Sequence, residues 1–78
     1  MVKKYVSVIA LMGKKGEIRP LAILWDNGVR YEIDRILEVR KAFSQLGGCG
    51  ILYSCMIQGQ RRNLFYEVDR WFIESHHG

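Results

Sequence analysis

The chain has 78 residues, of which 49% are hydrophobic and 26% charged, with twelve Lys and Arg against eight Asp and Glu for a formal net charge of +4. That length sets one domain with a marginal core, burying about 60–65% of its unfolded surface, and the composition excludes a disordered chain. No apolar stretch approaches the roughly 20 residues of a membrane-spanning helix. Lys3 and Lys4 precede an apolar run too short, and without a small-residue cleavage site, to be a signal peptide, so the expectation is a cytoplasmic protein with no membrane partner.

Lys3 to Met12 alternates two largely apolar faces, Val6-Val8-Ala10-Met12 and Tyr5-Ser7-Ile9-Leu11, as a strand packed on both sides does. Gly13-Lys14-Lys15-Gly16 reads as a turn. Glu17 to Trp25 is a second strand, and Pro20 within it removes a ladder donor, which demands an edge position or a bulge there. Asp26-Asn27-Gly28 then turns the chain into the run Val29–Phe43. Asn-Gly at this point is a strong hairpin signal. Val29, Tyr31, Ile33, Leu37, Val39 and Phe43 occupy odd positions, and Arg30, Glu32, Asp34, Glu38 and Arg40 even ones, the period of a half-buried strand. Arg35 and Ile36 break that alternation, so the reading places a bulge or sharp bend near Asp34, with Arg35 at the bulge. The rival is a short helix within 34–46, with Ile36, Val39, Phe43 and Leu46 at helical spacing, Asp34 as cap and Gly47-Gly48 as stop.

Beyond a glycine-rich joint at Gly47-Gly48-Cys49-Gly50, three shorter strands follow over Ile51–Ile57, Arg61–Tyr66 and Arg70–Glu74, separated by turns at Gln58-Gly59-Gln60 and Glu67-Val68-Asp69. The sum is an all-β domain over 1–75 with a tail at 76–78. Its expected form is a small antiparallel five- to six-stranded meander rolled into an SH3-like barrel or half-barrel. Tyr31, Ile33, Leu37, Val39, Ile51, Tyr53, Leu64, Trp71 and Ile73 should line the core.

The chemistry is sparse. Cys49 and Cys55 on one extended strand are about 20 Å apart, beyond disulfide reach, and match no zinc spacing; reduced structural thiols are the plain account. His76 and His77 adjoin Gly78 in the tail, where fraying is the ordinary state. The serines have no patterned base, the acids lie beside arginines, and no phosphate-binding glycine loop is present. The expectation is therefore no enzyme, no cofactor, no metal and no small-molecule substrate.

Charge placement is more informative. In an up-and-down meander Lys3, Lys4, Arg30, Arg61 and Arg62 fall at one end, near the turns at Asn27-Gly28 and Gln58–Gln60, with Tyr5 and Trp25 nearby as stacking surfaces for weak, sequence-nonspecific nucleic-acid binding. The plain alternative is that cations at hairpin tips keep a small protein soluble and its edges unpaired. A third reading is a protein-interaction module or homodimer that uses an apolar sheet face left uncovered, carried by the strand Val6-Val8-Ala10-Met12, with Phe65 and Phe72 directed away from their neighbours.

The segment Trp25-Asp26-Asn27-Gly28-Val29-Arg30-Tyr31-Glu32-Ile33-Asp34-Arg35-Ile36-Leu37, with Arg70-Trp71-Phe72-Ile73-Glu74 late in the chain, resembles small uncharacterised bacterial proteins with a Trp-turn-Gly-strand hairpin and a Trp-rich last strand. Some proteins of that type are encoded near translesion polymerase genes, and the resemblance implies a DNA-linked accessory role. It carries over no functional residue.

Overall fold

The computed structural model of the protein describes residues 2–43 and 49–75, with side chains over 3–43 and 50–74. Among the described residues seven strands form: β1 (Val2–Met12), β2 (Ile18–Leu24), β3 (Arg30–Glu32), β4 (Arg35–Phe43), β5 (Cys49–Ile57), β6 (Gln60–Glu67) and β7 (Arg70–Ser75). They make one antiparallel sheet in the order β3-β2-β1-β7-β6-β5-β4. The all-β expectation holds, but with seven strands rather than five or six. The helix within 34–46 is replaced by β4 as far as Phe43; residues 44–46 lie outside the described part, as do Gly47, Gly48, His76 and His77.

Two constructions make the hairpin turns. At Gly13–Glu17 and Trp25–Val29 a turn is closed by an i→i+3 amide bond, Gly16 N to Gly13 O at 3.1 Å and Gly28 N to Trp25 O at 2.9 Å. The last residue of each turn is a glycine at φ 84° or 82°, the left-handed step that lets a three-residue loop rejoin the ladder. The Gln58-Gly59 and Val68-Asp69 turns instead have two consecutive positive φ values, 51° and 75°, then 36° and 69°, matching the right-handed twist of a two-residue hairpin.

The run Val29–Phe43 explains the curl. Ile33 N donates to Leu21 O on β2, and the next amide, Asp34 N, donates to Met56 O on β5, both at 2.9 Å. One bent segment thus bonds to strands near opposite edges of the sheet and draws them together. Beyond this point β4 pairs only with β5, leaving an open seam between β4 and the start of β2. The result is a curled half-barrel, closed at the Ile33-Asp34 end. The bend expected near Asp34 is present, but the register shift lies between Ile36 and Glu38, two residues past Arg35.

That shift corrects the core. Leu37 is the extra residue at the bulge and is 41% exposed; Val39 borders the seam and is 54% exposed. Ile36 takes their place, packing inward with Tyr31 and Ile33. The concave core consists of Ile23, Tyr53, Cys55, Ile57, Leu64 and Ile73, with Ile51 and Trp71 packed against it. Pro20 is buried beside a second bulge, where Ile9 pairs with Ala22 and Ala10 with Pro20. β3 pairs only with Ala22–Leu24, so the amide that Pro20 lacks would have had no strand to meet. Gly50 is dictated by proximity, since a Cβ there would lie 2.4 Å from the Tyr66 carbonyl oxygen.

A second cluster lies on the convex face. Leu52, Phe65 and Phe72 are buried with Ala42 beside them, and Phe72 is 0% exposed. Phe65 and Phe72 stack at 4.8 Å, and Tyr5 meets Phe72 edge-on at 5.8 Å. Phe65 and Phe72, expected to lie on open apolar surface, are therefore buried, while Met12 at the end of β1 is 70% exposed.

Candidate functional site

Alternation along β1 and β6 sends neighbouring cations to opposite faces. Lys3 and Arg61 point to the convex side; Lys4 and Arg62 point to the mouth of the half-barrel. Lys3 lies over the Phe72 ring at 4.4 Å and reaches Glu67 at 3.4 Å. Glu67 also accepts from the Tyr5 hydroxyl at 3.3 Å and from Arg70 at 3.2 Å, while the Arg70 guanidinium sits 4.5 Å over Tyr5. Arg61 Nε donates to the buried Ser54 Oγ at 2.8 Å. Of these, Lys3 and Tyr5 cover Phe72 in the convex cluster. Arg30 pairs with Glu32, two residues along the exposed edge strand.

The mouth is different. A cavity of about 410 Å³ opens at the closed end, with Ile23, Ile57 and Ile73 at its base, Trp25 and Tyr31 as aromatic walls, and Gln58, Gln60 and Arg62 as polar lining. The Trp25 and Tyr31 rings meet edge to face at 6.3 Å. Lys4 Nζ stands 5.1 Å over Trp25 and forms an ion pair with Asp26 at 2.6 Å. One Arg62 nitrogen, Nη2, donates to Gln60 Oε1 at 2.7 Å; a guanidinium has five donors, so it can hold a second acceptor. Asp34 accepts from Gln58 N at 3.0 Å and fixes the turn that carries both glutamines.

Of the residues singled out in the sequence, Lys4, Trp25 and Arg62 come together here, while Lys3, Tyr5, Arg61 and Arg30 do not. Tyr31 reads from its alternation as a core residue and turns out to wall the cavity as well. Gln58 and Gln60 read as ordinary turn residues, and nothing in their pattern marks them as lining. The arrangement combines aromatic surface, amide groups that donate and accept, and two cations, one partly offset by Asp26. It can stack a flat ring and hold an anion beside it.

A second cavity, about 640 Å³, follows the seam between Gly16–Arg19 and the β4–β5 face, where Ile36, Val39, Ile51, Tyr53 and Tyr66 line it. Tyr53 Oη crosses it to donate to Ile18 O at 2.6 Å. Burial raises the Tyr53 hydroxyl above its ordinary range, and burial alone pushes the Cys55 thiol up to about 11. Cys55 is accordingly a packed thiol rather than a nucleophile; its Sγ donates to Tyr53 O at 3.3 Å. Among the described residues no three His, Cys, Asp or Glu side chains converge as metal ligands, and no helix is long and apolar enough to cross a membrane. No family model, curated protein or solved structure matches the chain.

Proposed function

We propose that this is a non-enzymatic accessory protein that makes weak, sequence-nonspecific contact with single-stranded nucleic acid at the mouth of the half-barrel. In this reading an unpaired base seats against Trp25 and Tyr31, Gln58 and Gln60 meet its polar edge, and Arg62 with Lys4 takes the flanking phosphates. The supporting observation is the shared cavity of Trp25, Tyr31 and Arg62, roofed at its edge by Lys4. Stacking on an aromatic wall is worth about 1–3 kcal/mol per base and is indifferent to base identity. A duplex offers no free base faces, so it should bind less well.

Fluorescence anisotropy with labelled single- and double-stranded DNA and RNA, at two salt concentrations, tests this. The expected outcome is micromolar binding to single strands that weakens with salt, since each phosphate contact releases counterions. Trp25→Ala should weaken binding by about tenfold, and Arg62→Ala should also lessen the salt dependence. Absence of binding at low salt, or binding unchanged in both variants, overturns the reading.

A further inference from the structure

The opposite end of the molecule carries an independent feature. Among the described residues β4 is the last strand of the sheet, and its outer edge faces the seam with no described strand hydrogen-bonded to it. Past the bulge at Leu37 it runs regularly from Glu38 to Phe43. An unpaired edge of this length presents a row of backbone donors and acceptors that can template another strand. The exposed apolar side chains Leu37, Val39 and Phe43 lie along it, Phe43 at 85% exposure.

We propose that a second copy of this chain pairs with that edge, β4 against β4, antiparallel about a two-fold axis through Val39, making a homodimer with one continuous sheet. The charge pattern selects the partner. Glu38 and Arg40 flank Val39 on the face opposite to it and lie 3.4 Å apart within one chain. The two-fold through Val39 sets Glu38 of each chain against Arg40 of the other, giving two complementary cross-strand pairs by symmetry. Moving the two-fold by one residue in either direction, a slide of two residues, sets Glu38 against Glu38 or Arg40 against Arg40, so the same two residues that favour this register oppose the next symmetric ones. Val39 then packs against its symmetry mate over the apolar seam lined by Ile36 and Ile51.

Sedimentation velocity from low micromolar to near-millimolar protein tests the proposal, with circular dichroism confirming that each variant is folded. The expected result is a monomer–dimer equilibrium. Glu38→Lys, or Arg40→Glu as a second single reversal, should weaken it by about tenfold or more. The double swap Glu38→Arg with Arg40→Glu should restore it. Val39→Cys should give a disulfide-linked dimer on mild oxidation, because residues facing each other across antiparallel strands come within disulfide reach. A monomer at every concentration, a dimer indifferent to both single reversals, or a double swap that stays monomeric overturns it.

Discussion

The two faces of the β5–β6–β7 sheet are both buried, by different means. On the concave side, apolar side chains from all seven strands meet one another: Leu64, Ile73, Cys55 and Ile23 are enclosed by the curl itself. On the convex side no second layer of strands is present among the described residues. Phe72 is covered by the long side chain of Lys3 and the aromatic ring of Tyr5, tied together through Glu67 and Arg70, while Phe65 stacks on Phe72 and Ala42 packs against the cluster. The difference teaches that in a chain this small a charged side chain can serve as a layer. The stem of a lysine covers a ring while its ammonium stays at the water and finds a carboxylate. Charge therefore cannot be equated with a binding surface, and each basic residue has to be asked which face it occupies.

The comparison breaks first at its two centres. Leu64→Ala on the concave face and Phe72→Ala on the convex face should each cost about 3–5 kcal/mol in denaturant unfolding, because both side chains are fully enclosed. A convex-face loss below about 1 kcal/mol would mean that the roof relaxes onto the gap and is no true layer.

Alkaline pH should sharpen it next. Folding holds Cys55 as the neutral thiol, raised from an ordinary 9.0 to about 11 by burial. Tyr53 is raised by burial too, and Lys3 is raised by the Tyr5 hydroxyl and Glu67 against a smaller opposing effect of burial. A group raised on folding contributes fully below its unfolded value and loses that contribution as pH climbs through the folded one. Stability should thus fall from about pH 9 upward, with Cys55 alone responsible for about 2–3 kcal/mol once pH exceeds 11. Cys55→Ala, whatever its baseline cost, should flatten that slope, and urea unfolding between pH 8 and about 11 is the check.

The smallest effect separates the neighbouring arginines. Arg61→Ala leaves the buried Ser54 hydroxyl without its partner and should cost about 1 kcal/mol while nucleic-acid affinity stays unchanged. Arg62→Ala should do the reverse, keeping stability and losing affinity. Equal losses of affinity in both would move the contact from the mouth to the whole basic end.

Much of the architecture was legible. The alternations over Lys3–Met12 and Ile51–Ile57 marked strands with definite faces, the glycines at 16, 28 and 59 marked the turns, and Pro20 announced its bulge. The seventh strand went uncounted because β3 and β4 are one continuous alternation in sequence; only the bonds from Ile33 and Asp34 to different strands divide them. Val39 keeps the inward phase, opposite Tyr53, and is exposed because it borders the seam; Leu37 was misplaced for a reason related to the division of β3 from β4. Leu37 is the extra residue of a single-residue bulge, and the position of that bulge is set by the partner strand β5, which no local pattern contains. The candidate site was half visible. Meander topology correctly put Lys4, Trp25 and Arg62 near the same turns, but it counted residues at an end without assigning them to faces. Period two, applied to Lys3-Lys4 and Arg61-Arg62, already carried that division.

The first strand lies in the middle of the sheet, with β2 on one side and β7, the last strand, on the other; Val2 stands opposite Ser75. A chain arranged in this way cannot settle its central seam in the order in which it is synthesised. β1 can form its hairpin with β2 as soon as both have emerged, but its second edge must wait for β7. Contacts so distant in sequence lengthen the search and place such all-β folds toward the millisecond-to-second range. During that interval the alternately exposed edge of β1 and the unroofed Phe72 are the segments most open to non-native association, and the arrival of Lys3 over Phe72 marks the moment at which both hazards end together.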